Sequence, residues 1–163
     1  MDYTIIPTEL CHAEQIAELR RMPSVMENIL GLPSERGIKF EEILKQNNPQ
    51  FHQFVAVVDE IVIGHVFLSL EQNLRRRHVG AIGLMVHADY QNKGVGSKLF
   101  QTVLDLADNW LMLKRIELSV YADNRNAIAL YEKHGFVIEG KMIGASIRNG
   151  VYADEYFMAR ISD

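Results

Sequence analysis

Two spacings alternate along the chain. Short runs with apolar residues at every second position are broken by glycine, proline or aspartate, and between them lie stretches whose apolar residues recur every three to four positions. Tyr3-Thr4-Ile5-Ile6 reads as a strand ended by Pro7. Ala13 to Met22 has helical spacing, with Ile16, Leu19 and Arg20 on one face, and Pro23 closes it. From Ser24 to Asn48 the pattern is irregular, interrupted by Pro33 and Gly37 before a short helix at Phe40 to Lys45. A connection of that length is either a helical cover for a sheet or a lid over a binding site.

The next runs are the richest in β-formers. Phe54 to Val58 and Ile61 to Leu68 flank Asp59-Glu60 and read as a hairpin. His78 to Val86 is a further strand, and its Gly80 and Gly83 point to a bulge or to a ligand lying close to the backbone, the latter favoured. Leu99, Val103, Leu106, Ala107 and Trp110 mark one face of a long helix, and Arg115 to Val120 alternates strictly. Ala127 to Lys133 is a helix capped by Gly135. Phe136 to Glu139 starts another strand, and Val151 to Ile161 returns after a hairpin at Arg148-Asn149-Gly150, where Asn-Gly favours a type I′ turn. The order predicts an α/β (α+β) fold, a mixed and mostly antiparallel sheet with helices on both faces. Its single parallel step joins the strand ending at Val86 to the strand at Arg115. A right-handed crossover there sets the Gly94 loop at the carboxyl ends of both strands.

That loop carries the candidate chemistry. A strand, a Gly94-Val95-Gly96 turn and a helix start form an anion cradle, with free N–H groups, about half a positive charge and no Cβ in the way. An ordinary tight strand–turn–helix connection is the plain alternative. A P-loop needs Gly-Lys-Ser/Thr, which is absent, and a dinucleotide fingerprint needs glycine where Leu99 stands.

Composition narrows the partners. The chain has 163 residues, 48% hydrophobic and 23% charged, as expected of one domain over residues 1–163. A net charge of −4 argues against nucleic acid and anionic membranes. A single cysteine, Cys11, suits a reducing cytoplasm, no metal-ligand spacing is present, and no run is long enough to span a bilayer. A homodimer is one option left open.

Gln91-x-x-Gly94-x-Gly96 resembles the pyrophosphate-binding motif of the GNAT superfamily of acetyl-CoA-dependent N-acetyltransferases. About thirty residues on, Asn124-x-x-Ala127-Ile128-x-Leu130-Tyr131-x-Lys133-x-Gly135-Phe136 resembles that family's C-terminal acetyl-CoA motif. Asp108-Asn109-Trp110, Arg115 to Leu118 and Arg148-Asn149-Gly150-x-Tyr152-x-Asp154 look like the bacterial L-amino-acid N-acetyltransferase branch.

The resemblance implies acetyl-CoA as cosubstrate, no metal, and a small-molecule amine as acceptor, with an amino acid favoured. It implies that Gln91, Asn92, Lys93, Gly94, Val95, Gly96 and Ser97 hold the pyrophosphate through backbone N–H groups. The main chain of Leu84, Met85 and Val86 would pair with the pantetheine arm beside a splayed strand. Asn124 would bond the pantetheine–phosphate region, or cap its helix, or both. Tyr131 would be the general acid for the departing thiolate, its alternative being plain core packing.

In that chemistry the free amine attacks the thioester carbonyl directly, through a tetrahedral oxyanion that backbone N–H groups stabilise. Many family members carry a basic Glu on the strand that here ends at Val86, but Ala81 to Val86 has no carboxylate. Water, Glu71, His78 and Glu117 remain as candidate bases. Arg75, Arg76 and Arg77 are a candidate site for an acceptor carboxylate, a solvated charge run being the alternative. Two other readings stay open: acetylation of a peptide or protein N-terminus or lysine, and a non-catalytic CoA-binding regulatory module.

Overall fold

In the computed structural model, which describes residues Met1–Asp163, the alternating runs become β1 (Thr4–Pro7), β2 (Phe51–Val58), β3 (Ile61–Leu70), β4 (Val79–Val86), β5 (Arg115–Tyr121), β6 (Val137–Arg148) and β7 (Val151–Ile161). They form one sheet in the order β1-β2-β3-β4-β5-β7-β6. Every neighbouring pair is antiparallel except β4 and β5. Asn149 and Gly150 both adopt positive φ between β6 and β7, as a type I′ turn requires.

Helices cover both faces. On one lie α1 (Ala13–Arg21), α2 (Pro23–Met26) and α3 (Gly37–Lys45), whose Ile16, Leu19, Val25 and Phe40 pack with Val55, Val62 and Met85. On the other lie α4 (Val95–Asp105) and α5 (Arg125–Lys133), where Leu99, Phe100, Val103 and Tyr131 meet Val66, Leu68, Ile116 and Val120. Strand residues alternate between the two cores because successive side chains point to opposite faces. Each fully buried Leu or Phe contributes roughly 1.5–3 kcal/mol, so α4 is firmly anchored behind its N-terminus. No helix is long and apolar enough to cross a membrane.

Three glycines make close packing possible. Gly37 starts α3 instead of breaking it, and a Cβ there would lie 3.1 Å from the Glu14 Cα, so it permits the close approach of α1 and α3. A Cβ on Gly80 would meet Leu113 and Leu68 at 2.8 and 2.9 Å, and one on Gly83 would strike the Phe67 ring at 2.2 Å. Leu113, Leu68 and Phe67 thus crowd both positions, and Gly83 also lines the cleft described below. Trp110 also departs from its expected buried face. A π-helical turn over Leu106–Trp110, closed by Leu111 N–H to the Leu106 carbonyl, inserts an extra residue and leaves Trp110 77% exposed.

Candidate active site

The parallel step is short. β4 and β5 pair only at Val79–Arg115, Gly80–Ile116 and Ala81–Glu117, and beyond Ala81 they part. His87 N–H donates to Ile63 and the Val79 carbonyl accepts from Glu71, so odd-numbered residues of β4 turn their main chain toward β3. By alternation the N–H and C=O groups of Leu84 and Val86 face the gap left by β5. Met85 spends its own on the ladder opposite His65. Gln91 Nε2 donates to the Val86 carbonyl at 3.0 Å and tethers the following loop to the strand end.

The gap opens into a cleft of about 640 Å³. Leu84, Met85 and Val86 line it from β4, Gln91, Asn92, Gly94, Gly96 and Ser97 from the loop, and Asn124 and Tyr131 from α5 and its cap. The side chains of two expected cradle residues do not line it, the contact expected of them being through main-chain N–H groups. The Val95 side chain is fully buried in the core, and Lys93 lies over the Tyr90 ring at 5.6 Å.

Gly94 is the N-cap of α4 at φ +84°, and a Cβ there would meet nothing within 4 Å. The first main-chain bond into the helix is Lys98 N–H to the Gly94 carbonyl, and no amide from Asn92 to Ser97 donates to another main-chain group. These donors and the helix dipole converge on open space, which fits an anion such as a pyrophosphate. At Gly96 a Cβ would find ordinary contacts with Val86, Leu84 and Leu130, so bulk alone is not excluded there.

Asn124 caps α5, its side-chain oxygen accepting from Ala127 N–H at 3.2 Å. The helix ends in a Schellman motif, with Phe136 N–H to Tyr131 and Gly135 N–H to Glu132, Gly135 at φ +87° and the Phe136 ring against Tyr131. Both clamps fix Tyr131, which also packs on Phe100 with ring centroids 5.2 Å apart. Burial pushes its phenol up to about 12, so it stays protonated and able to donate.

The opposite wall comes from the α1–α2 face. It carries Arg20, whose Nε donates to Glu35 at 2.6 Å, together with Asn28 and Phe67. Arg20 is the one cation of the lining and Glu155 the one carboxylate. Sequence reasoning missed both. Alternation in β7 gave a signal for Glu155, which shares the inward parity of Ala153.

The candidate carboxylate-binding arginines lie elsewhere. Arg75, Arg76 and Arg77 precede β4, and a rise of about 3.3 Å per residue sets them roughly 25 Å from the Gly94 end. Arg76 there bonds Glu71 and Glu117 at 3.3 Å. The same geometry places the three candidate side-chain bases outside the cleft lining. Glu71 and His78 sit at that far end, and Glu117 is held by Arg76 and Arg115 below the point where the strands part.

Comparison with known proteins agrees with this architecture. Residues 14–136 match the family model described as "Acetyltransferase (GNAT) family". The L-amino acid N-acetyltransferase AaaT of Escherichia coli is 39% identical over 91% of this chain and 91% of its own. An N-alpha-acetyltransferase of Saccharolobus solfataricus is 30% identical over 98% and 93%. The spermidine N-acetyltransferase of Vibrio cholerae, solved in complex with CoA and spermine, superposes with a TM-score of 0.85 at 25% identity over 98% and 95%. Family match, relatives and fold agree: the chain belongs to the GNAT family and is an acetyl-CoA-dependent N-acetyltransferase most like the bacterial L-amino-acid branch.

Proposed function

We propose that the protein transfers the acetyl group of acetyl-CoA to the primary amine of a small molecule, with an amino acid as its preferred acceptor. The observation that carries this reading is the parting of β4 and β5. It leaves the main-chain groups of Leu84 and the N–H of Val86 free to pair with an extended pantetheine arm, next to the open amides from Asn92 to Ser97. The lining of the same cleft also holds one guanidinium, Arg20, whose Nε and Nη2 are bonded to Glu35, and across from it one carboxylate, Glu155, two opposite charges that suit a zwitterion.

The amine attacks the thioester carbon directly, and the phenol of Tyr131 donates to the sulfur as the C–S bond breaks. An alkyl thiol has an ordinary pKa of about 8.5, roughly 3.5 units below that of Tyr131, so outright proton transfer would cost about 5 kcal/mol. Burial in the same cleft raises the thiol as well and narrows that gap. Tyr131 therefore stabilises the thiolate first by a hydrogen bond and yields its proton as the acceptor nitrogen's replaces it.

The test is thiol release from acetyl-CoA across amino acids, their amides, polyamines, aminoglycosides and peptides. Amino acids should turn over fastest and lose to their amides when Arg20 is replaced by Gln. Preference for polyamines or peptides would move the acceptor assignment, and tight acetyl-CoA binding without turnover would leave a regulatory module.

A further inference from the structure

We propose that Glu155 is the group that receives the acceptor's ammonium and removes its proton, an assignment that rests on the amine acetylation proposed above. Glu155 is 7% exposed, yet it lines the cleft. None of the ion pairs in the molecule includes it, and its one side-chain partner is the Ser146 hydroxyl, which donates to Oε1. A carboxylate accepts at about four lone-pair sites, so one hydroxyl leaves most of its capacity unused. A buried charge without a counter-ion is costly, and a primary ammonium in the cleft would offset that cost with both charge and donors.

Its placement suits the reaction. Glu155 stands opposite Tyr121 in the β5–β7 ladder, so both side chains share the face away from Val120 and the α4 core. Tyr131 belongs to that α4-side core. The proton acceptor and the proton donor thus lie on opposite faces of the sheet, with the gap between β4 and β5 connecting them.

The carboxylate is also deliberately aimed. The β6–β7 register shifts between Met142 and Ser146, where Gly144 takes φ +59° and its N–H donates to Asp154 Oδ1 at 2.9 Å. Such an irregularity re-aims side chains, and here it brings Ser146 onto Glu155. The other charged and titratable groups around it are accounted for. Tyr121 lies under Arg148 at 4.5 Å, Arg148 pairs with Asp123, Asp154 pairs with Lys141, and Arg20 across the cleft pairs with Glu35.

The acceptor R–NH3+ gives one proton to Glu155, and the neutral nitrogen forms the C–N bond. As the C–S bond breaks, the thiolate takes the Tyr131 proton, and the second proton lost by nitrogen restores the phenol. Products are the amide and the free thiol, with one net proton released from Glu155 to solvent.

The test compares Glu155→Gln and Glu155→Asp with the wild type over a pH series, using a strongly basic primary amine and a weakly basic one already neutral at the assay pH. For the basic amine, Glu155→Gln should lower kcat/KM by about 10²-fold or more at every pH and leave the KM for acetyl-CoA within about twofold. The weakly basic amine should lose less than about tenfold, because it needs no deprotonation. Glu155→Asp, which keeps the carboxylate, should restore activity toward the basic amine in part. The melting temperature of Glu155→Gln should hold or rise, because an unpaired buried charge is gone. Wild-type kinetics in Glu155→Gln, an equal loss with both amines, or a fall in melting temperature that accounts for the lost activity overturns the assignment. If the wild type acetylates no amine, the acetylation reading fails separately. Glu155 is then judged by calorimetry of n-butylammonium on the CoA-saturated protein, where equal affinity in wild type and Glu155→Gln overturns it.

Discussion

In the proposed reaction Tyr131 is structural and chemical at once. Its ring closes the Schellman motif against Phe136 and packs on Phe100, so Tyr131→Phe should fold normally. Removing the hydroxyl takes away an interaction made only as sulfur departs. We expect kcat to fall by about 10²-fold, the low end for general acids, with acetyl-CoA affinity unchanged in calorimetry. Because its phenol sits at about 12, wild-type kcat should show no alkaline limb from Tyr131 below about pH 11. Turnover within about twofold of wild type would reduce Tyr131 to packing. His65 presents the reverse case, a titratable group with no cleft to serve. Burial, aided by the charge of Arg20, lowers its pKa to about 3, and its Nε2 bonds Gln53 at 3.0 Å. The unfolded chain takes up a proton there near pH 6.5 and the folded chain does not until about 3, so stability is full above 6.5 and falls as pH drops through that window. The limit is on the order of a few kcal/mol. Melting temperature should therefore decline less steeply between pH 7 and 4 in His65→Gln than in the wild type, and parallel slopes would refute this.

At the scale of the element, the strand–loop–helix unit around Gly94 was legible because its parts are local. Alternation up to Val86, two glycines and a 3.6-residue period suffice to specify it. The α5 unit was equally open, since Asn124 and Gly135 mark its two ends. What sequence could not supply was the use of space by distant partners. Gly37, Gly80 and Gly83 answer to Glu14, Leu113 and Phe67, none of them deducible from neighbouring residues. The π turn at Leu106–Trp110 left no periodic trace before the phase had already slipped. Gly96→Asp tests the loop directly. Its Cβ fits at 3.4 Å from Val86, so the fold should persist, while the added negative charge opposes an anion at the helix start. Calorimetry should show acetyl-CoA affinity falling severely, and unchanged affinity would remove the pyrophosphate from this loop.

Across the whole molecule the two ends of the sheet are distinct in character. At the amino end of β4, Arg76 and Arg115 are tied into one ion-pair network with Glu71, Glu117 and Glu139, while the carboxyl end holds the cleft. Replacing Arg75, Arg76 and Arg77 together by Gln should thus leave the acceptor KM unchanged, whereas Arg20→Gln should raise it for an amino acid and not for its amide. A rise in KM from the triple replacement would return the acceptor to that end. Sequence distance misled here, because a basic run beside the central strands is conspicuous on paper and its separation from Gly94 appears only once β4 is extended. The gap between β4 and β5 also divides the site along the chain. One wall of the cleft, which the proposed function gives to the acceptor, draws Arg20 to Leu30 from the first fifth of the chain, and the wall with the free amides comes from the stretch after Leu84. A replacement in the early segment can therefore reshape one wall of the cleft without touching the amides of the other, so that the two halves of the proposed site are separable in sequence.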